Sequence, residues 1–376
     1  MATPHRWTLQ DVRLHLQGAV ELELLVIPPY LCALYSLHPQ TNEEADLVIR
    51  SVVVEEMLHM ILAANVLNAI GGAPDITGEG WVPRYPAAIP YHEPETFQVG
   101  LLPFGDAALD VFLAIENPTY PVATPAPATP DAAVPRATML ARERGYATIG
   151  AFYAAIEDGL CVLEDELGPA KLFTGAPDRQ VRPEHYYASG GAAIVVDDLD
   201  SALLALEQIV EQGEGEVTRP PSGEKFDAEL DLAHYYRFDE LRRRRRYCAT
   251  DEPGKPTGAP IELDLAAVYP MRPNLRVADL PPGPLREAAV AFNGIYARLL
   301  KQLQSALNGG PEVLTRAVGT MFELKYAARD LLRTPLPDAS GLHAGPTFEY
   351  SEQPAPAAVG RRATSSPVSP GRGSLR

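Results

Sequence analysis

Val52-Val53-Val54-Glu55-Glu56-Met57-Leu58-His59-Met60-Ile61 is the stretch on which the reading of this chain turns. It lies inside a longer helical pattern. Taking every third or fourth residue gives Ala45, Ile49, Val52, Glu56, His59, Ala63, Val66 and Ile70, which is one face of one helix. That face is apolar except at Glu56 and His59. A carboxylate and an imidazole buried there without partners would each cost on the order of several kcal/mol, so a partner is expected inside the core. For Glu-x-x-His facing inward from a helix, that partner is commonly a metal held in a carboxylate-bridged bundle. A hydrogen-bonded core pair is the competing explanation.

Composition sets the limits around this motif. The chain has 376 residues, 46% hydrophobic and 22% charged, enough to bury a substantial core in one large domain or two small ones. A net charge of −17 argues against nucleic acid or an anionic membrane surface as the main partner. The one basic run, Arg242 to Arg246, suits a solvated helix end. Cys32, Cys161 and Cys248 are scattered and odd in number, which reads as reduced thiols in a cytoplasmic protein. No membrane span and no secretory leader are expected from the apolar runs or from residues 1–7.

Working outward, Thr8-x-x-Asp11 forms a capping-box pattern that opens a first helix. Its seam runs Leu9, Val12, Leu16, Ala19, Glu23, Ile27, Tyr30 and Leu34, making Glu23 a second inward carboxylate. Pro28-Pro29 is expected to interrupt this helix. Thr41-x-x-Glu44 is expected to cap the second helix, which Gly71-Gly72 and Pro74 end. Residues 8–72 thus form the first helix pair. Residues 79–147 are rich in Pro and irregular and read as an insertion, with a short strand near Phe97–Leu102 and a short helix at Ala107–Glu116.

Residues 148–247 supply further helices. Thr148 to Leu167 is one, with Ile149, Phe152, Ile156, Leu160 and Leu163 on its seam. Asp197-Asp198 caps the next, along which Glu207, Glu211 and Glu214 form an acidic stripe. Phe226 to Tyr247 follows, where Asp231-x-x-His234 repeats the carboxylate-x-x-His spacing of Glu56 and His59. A helix pair at 284–333 has no ionisable carboxylate or imidazole on its seams and reads as scaffold. His185 reads as a surface residue, and 351–376, rich in Pro, Ser, Gly and Arg, as a disordered tail.

The recurrence completes a ligand count. Two metal ions held between helices need one carboxylate from each of two helices and a carboxylate-x-x-His from each of two others. Glu23, Glu56, His59, Asp231 and His234 supply five, and Glu211 is the preferred sixth. Glu214 is an alternative at a Gly-flanked helix end, and Glu207 ranks third. Carboxylates with imidazole and no thiolate select iron, or else manganese. Tyr30 and Tyr235, close to the ligands in sequence, are candidate electron or hydrogen-bond donors.

These residues also carry a family resemblance. Glu23-x-x-x-Ile27-Pro28-Pro29-Tyr30-Leu31-x-Ala33-Leu34-Tyr35-Ser36, Glu55-Glu56-Met57-Leu58-His59-Met60 and Gly71-Gly72-x-Pro74 resemble the ferritin-like domain of the iminophenyl-pyruvate dimer synthases of violacein- and rebeccamycin-type bisindole biosynthesis. Thr148-Ile149-Gly150-x-Phe152-Tyr153, Gln212-Gly213-Glu214-Gly215, His234-Tyr235-Tyr236-Arg237-Phe238, Val268-Tyr269-Pro270-Met271 and Ala344-Gly345-Pro346-x-Phe348 agree with it. The resemblance implies a mainly α, ferritin-like helical bundle over 8–350 and oxidative coupling of amino-acid-derived imines in specialised metabolism. The expected function is a metal-dependent oxidase or oxygenase, with two iron ions and a small amino-acid-derived substrate. A homo-oligomer or a biosynthetic partner enzyme is compatible with it. The alternative is a non-catalytic ferritin-like metal-binding protein with a structural or partner-assisting role.

Overall fold

The computed structural model describes residues 7–78, 80–89, 98–117, 146, 148–186, 190–213 and 232–350. Its first two helices, α1 (Leu9–Ser36) and α2 (Glu43–Ala69), form the most extensive helix contact among the described residues. After a two-residue antiparallel ladder, β1 (Ala87–Ala88) with β2 (Gln98–Val99), come α3 (Asp106–Ile115), α4 (Ile149–Leu167), α5 (Leu199–Gly213) and α6 (His234–Arg243). The chain then forms α7 (Pro284–Ala306) and α8 (Leu314–Leu332). α1 packs on α2, α2 on α5, α5 on α4, and α4 back on α1, which closes a four-helix ring. α3 and α6 pack on each other and against α1 and α2. α7 and α8 form a pair that meets the ring through α1. The fold is a mainly α helical bundle.

The local reasons are legible. Thr8 caps α1 as the pattern requires: its hydroxyl accepts from the Asp11 amide at 3.2 Å, and its own amide donates to Asp11 Oδ2 at 3.0 Å. Thr148 caps α4 by accepting from the Ala151 amide, and Asp198 accepts from the Ser201 amide at the start of α5. The start of α2 differs from expectation. Asn42, in a left-handed conformation, occupies the cap position, and its side chain bonds the backbone of Asp264. Thr41 instead donates to the His38 carbonyl.

The expected interruption at Pro28-Pro29 does not occur, and α1 runs unbroken through both residues. Pro29 has no N–H to give the Leu25 carbonyl. The Tyr85 hydroxyl donates to that carbonyl at 2.8 Å from outside the helix, which replaces the missing bond. By length and mean hydropathy α1 could cross a membrane, contrary to the expectation from apolar runs. Its most apolar window is 89% buried inside the protein, however, so its apolarity serves the core.

Of the proline-rich segment expected as an insertion, residues 80–89, 98–117 and 146 are described. Its helix α3 lies against α6, and the basic run pins the two together. Arg242 Nε donates to Asp110 Oδ1 at 2.6 Å and Arg244 reaches Asp106 at 2.9 Å, while Arg243 pairs with the buried Asp239 within α6 itself. The two pairs that join α3 to α6 are substantially exposed, so each contributes on the order of 0–1 kcal/mol and mainly fixes register. The 351–376 tail lies outside the described residues.

Candidate metal centre

α1 brings Glu23 and α2 brings Glu56 and His59 to the interior of the ring. α6 adds His234, and the residue just after α3, Glu116, closes the set. All five are buried, none more than 4% exposed. His59 Nδ1 lies 3.3 Å from Glu56 Oε2 and 3.7 Å from Glu23 Oε2. His234 Nδ1 lies 2.9 Å from Glu56 Oε1 and 3.7 Å from Glu116 Oε2. The two rings stack with centroids 5.4 Å apart. Donor atoms of Glu56, His59 and His234 all fall within 4.8 Å of one another.

Outer hydrogen bonds set the tautomers. His234 Nε2 lies 2.8 Å from Glu55 Oε2, which can only accept when ionised, so this nitrogen carries the proton. Glu55 is further held by the buried Arg237 guanidinium, which also grips Ser51 Oγ and the Leu232 carbonyl. Gln212 plays the same part for His59. Its amide nitrogen donates to the Gly190 carbonyl at 2.7 Å, which turns its oxygen toward His59 Nε2 at 2.9 Å. Both imidazoles are thereby oriented with Nδ1 facing the carboxylates, as a second layer of partners orients histidine ligands. Gly190, at φ +90°, has no room for a side chain, since a Cβ there would sit 2.6 Å from Glu55 Cγ.

Two phenols complete the cage. Tyr153 donates to Glu23 Oε1 at 2.5 Å, and Tyr30 donates to Glu116 Oε1. Burial, together with Glu116 and Glu56 nearby, pushes the Tyr30 hydroxyl well above its ordinary range. Electrostatics within the cluster are those of crowded carboxylates. Burial opposes a charged His59, but Glu23 and Glu56 outweigh it and raise the ring to about 10. Burial and the repulsion of Glu116 raise Glu56 to about 7. Glu55, despite burial, is held down to about 2 by His234 and Arg237.

The donor set fits a cation. His234 Nδ1 is close to Glu56 yet makes no hydrogen bond and is buried without a partner. With Nε2–H given to Glu55, Nδ1 faces two carboxylates; burial opposes a charged ring, but Glu56 and Glu116 outweigh it and hold His234 well above its ordinary range in the metal-free cage, so a metal ion would take the place of that proton. A small cavity of about 20 Å³ lies beside the donors, walled by Leu22, Val26, Ile115, Ile149 and Ile209.

The ferritin-like family profile matches residues 16–243, a span that includes all five inward donors. The chain belongs to the ferritin-like family. A crystal structure of a ferritin-like protein from Caulobacter vibrioides superposes with a TM-score of 0.58 at 24% identity, covering 93% of this chain and all of that one. The chain is also 27% identical to dichlorochromopyrrolate synthase of Lentzea aerocolonigenes over 95% of its own length. It spans 38% of the length of that relative. This similarity agrees with the family resemblance carried by the sequence motifs.

Within this ferritin-like bundle, the structure brings together Glu23, Glu56, His59 and His234. Glu211 is placed elsewhere: it is exposed on α5, as is Glu207, because Ala205, Leu206 and Ile209 take the buried face of that helix. Glu116 stands where Glu211 was expected. Glu214 and Asp231 lie outside the described residues, and the described part of α6 begins at His234. Tyr30 is at the centre, whereas Tyr235 is half-buried in a separate aromatic cluster with Tyr236 and Leu232. Sequence reasoning missed Glu116, Gln212, Tyr153 and the role of Glu55. The acid ending the apolar face of α3 was the available signal for Glu116, and Gln212 directly follows Glu211 and opens the Gln-Gly-Glu-Gly motif.

Proposed function

We propose that this protein is a metal-dependent oxidase or oxygenase of the ferritin-like family, with a non-haem iron centre of two ions and a small amino-acid-derived substrate. The observation that carries the reading is the buried convergence of Glu23, Glu56, Glu116 and the Nδ1 atoms of His59 and His234 in one cage. Three carboxylates and two imidazoles without a thiolate are the donors of carboxylate-bridged iron or manganese sites in helical bundles. Similarity to dichlorochromopyrrolate synthase, a biosynthetic enzyme by its name, supports an oxidative small-molecule reaction rather than storage.

Bound iron would supply oxygen-dependent redox chemistry at this cage. The chain's own residues hold the conditions for it. Glu55 and Gln212 fix the imidazole tautomers, and Tyr30 and Tyr153 keep one oxygen each of Glu116 and Glu23 turned away from the centre. The small cavity beside the donors is walled largely by aliphatic side chains and leaves room for a molecule of about the size of water or dioxygen. A cytoplasmic site of action is part of the proposal and is in keeping with the free cysteines Cys32, Cys161 and Cys248.

Metal analysis of the purified protein, followed by oxygen uptake against a panel of amino acids and imino acids, tests the reading. Close to two irons per chain and uptake with at least one imino acid are expected. Tightly held zinc with no oxygen uptake across the panel would overturn it.

A further inference from the structure

A second cavity, far larger than the one at the donors, shares no lining residue with it. Its volume is about 470 Å³, within the range of small-molecule sites. It is enclosed by the faces of α1 and α2 that carry Leu24, Ile27, Met57 and Ile61, and by α7 and α8. The walls are almost wholly apolar, and Met57, Met60 and Met321 make them adaptable. Two features set it apart from a packing defect. Tyr296, 3% exposed, lines it, and its hydroxyl is buried with no hydrogen-bond partner. His185, once expected at the surface, also lines it, and its buried Nδ1 has none either.

Charge is the third feature. The lining residues include two cations, Arg50 and Lys325, and no carboxylate, in a chain whose net charge is −17. Asp46, on the exposed side of α2, pairs with Arg50 and neutralises it in part. Lys325 has no ion-pair partner among the described residues. Burial lowers its affinity for its own proton, Arg329 and Arg50 nearby act in the same direction, and Asp46 acts against them.

We propose that this cavity binds an amphiphilic carboxylate, with its apolar body between the two helix pairs and its anionic end at Lys325 and Arg50. Oil-like walls supply the area such a body buries, on the order of 25 cal/mol for each Å² removed from water. The cations supply the charge-assisted bonds that distinguish an acid from a neutral chain of the same length. Tyr296 and His185 offer further polar groups that the protein leaves unmatched.

The test titrates the full chain with dodecanoate and with dodecanol by calorimetry. One equivalent of dodecanoate should bind, about tenfold more tightly than the alcohol. Lys325→Glu should remove that tenfold preference and leave alcohol binding unchanged. Met57→Trp, which fills the cavity, should weaken both ligands while metal content stays at the wild-type level. Val318→Trp, at the exposed rim, serves the same purpose should Met57→Trp fail to fold. No saturable binding, or the same preference for the acid in Lys325→Glu, would overturn the proposal. So would a dimer in sedimentation that Phe322→Glu dissolves, since the cavity would then be a contact between two copies.

Discussion

Removing Glu55 is the perturbation with the most to reveal, because the inward register of the Glu-x-x-His motif selects its neighbour Glu56 and leaves Glu55 unaccounted for. In the structure Glu55 is 4% exposed and joins His234 Nε2 to the Arg237 guanidinium, itself 2% exposed. Glu55→Ala leaves a buried guanidinium without its carboxylate, a defect that costs about 3–5 kcal/mol. At roughly 2 °C per kcal/mol for a chain of this size, the metal-free protein should melt about 6–10 °C lower. The same change frees the His234 ring, and loss of such an orienting partner lowers metal affinity by about 10–100-fold. Calorimetric melting of the metal-free protein and a competitive chelator titration read the two effects separately. Arg237→Met added to Glu55→Ala should restore much of the melting temperature and none of the metal affinity. Unchanged melting and unchanged affinity in Glu55→Ala would refute the reasoning.

Other outcomes follow from the same geometry. Glu116→Gln should sharply reduce bound metal after dialysis, whereas Glu211→Gln, on the solvent side of α5, should leave it at the wild-type level, as elemental analysis would show. Metal uptake at mildly alkaline pH should release protons, because His59 holds its proton up to about 10 in the metal-free cage; calorimetry in two buffers of different ionisation enthalpy measures the number released. Glu55, held down to about 2 from an ordinary 4.5, contributes stability that is present above pH 4.5 and lost as pH falls toward 2, so Glu55→Gln should flatten the acid-unfolding curve in that window. Tyr85→Phe should cost about 1–2 kcal/mol in denaturant unfolding, since the Leu25 carbonyl freed by Pro29 loses its donor.

How far the sequence reaches differs from element to element. Glu56 and His59 were legible because they break a long apolar seam, a one-dimensional signal that helix periodicity exposes. Glu23 and the α4 boundaries follow from the same periodicity and from the caps at Thr8 and Thr148. Glu116 was hidden for a physical reason. It sits at the end of a ten-residue helix in a proline-rich segment, and only the tertiary packing of α3 on α6 brings it inward. Glu211 misled because an acidic stripe on an amphipathic helix looks alike whether it faces metals or water; the buried face of α5 belongs to Ala205, Leu206 and Ile209. The proline pair in α1 was read as a break because the compensating donor, Tyr85, lies 60 residues away in sequence.

The central claim is that Glu23, Glu56, Glu116, His59 and His234 together hold metal. Anomalous diffraction from a crystal of the iron-loaded protein, recorded on both sides of the iron absorption edge, tests it most directly. Iron peaks are expected inside the cage, within about 2.0–2.2 Å of His59 Nδ1, His234 Nδ1 and a Glu56 oxygen, distances ordinary for nitrogen and oxygen donors to a transition metal. Iron bound only at the exposed acidic face of α5, or a loaded protein with no peak between α1, α2 and α6, would contradict it.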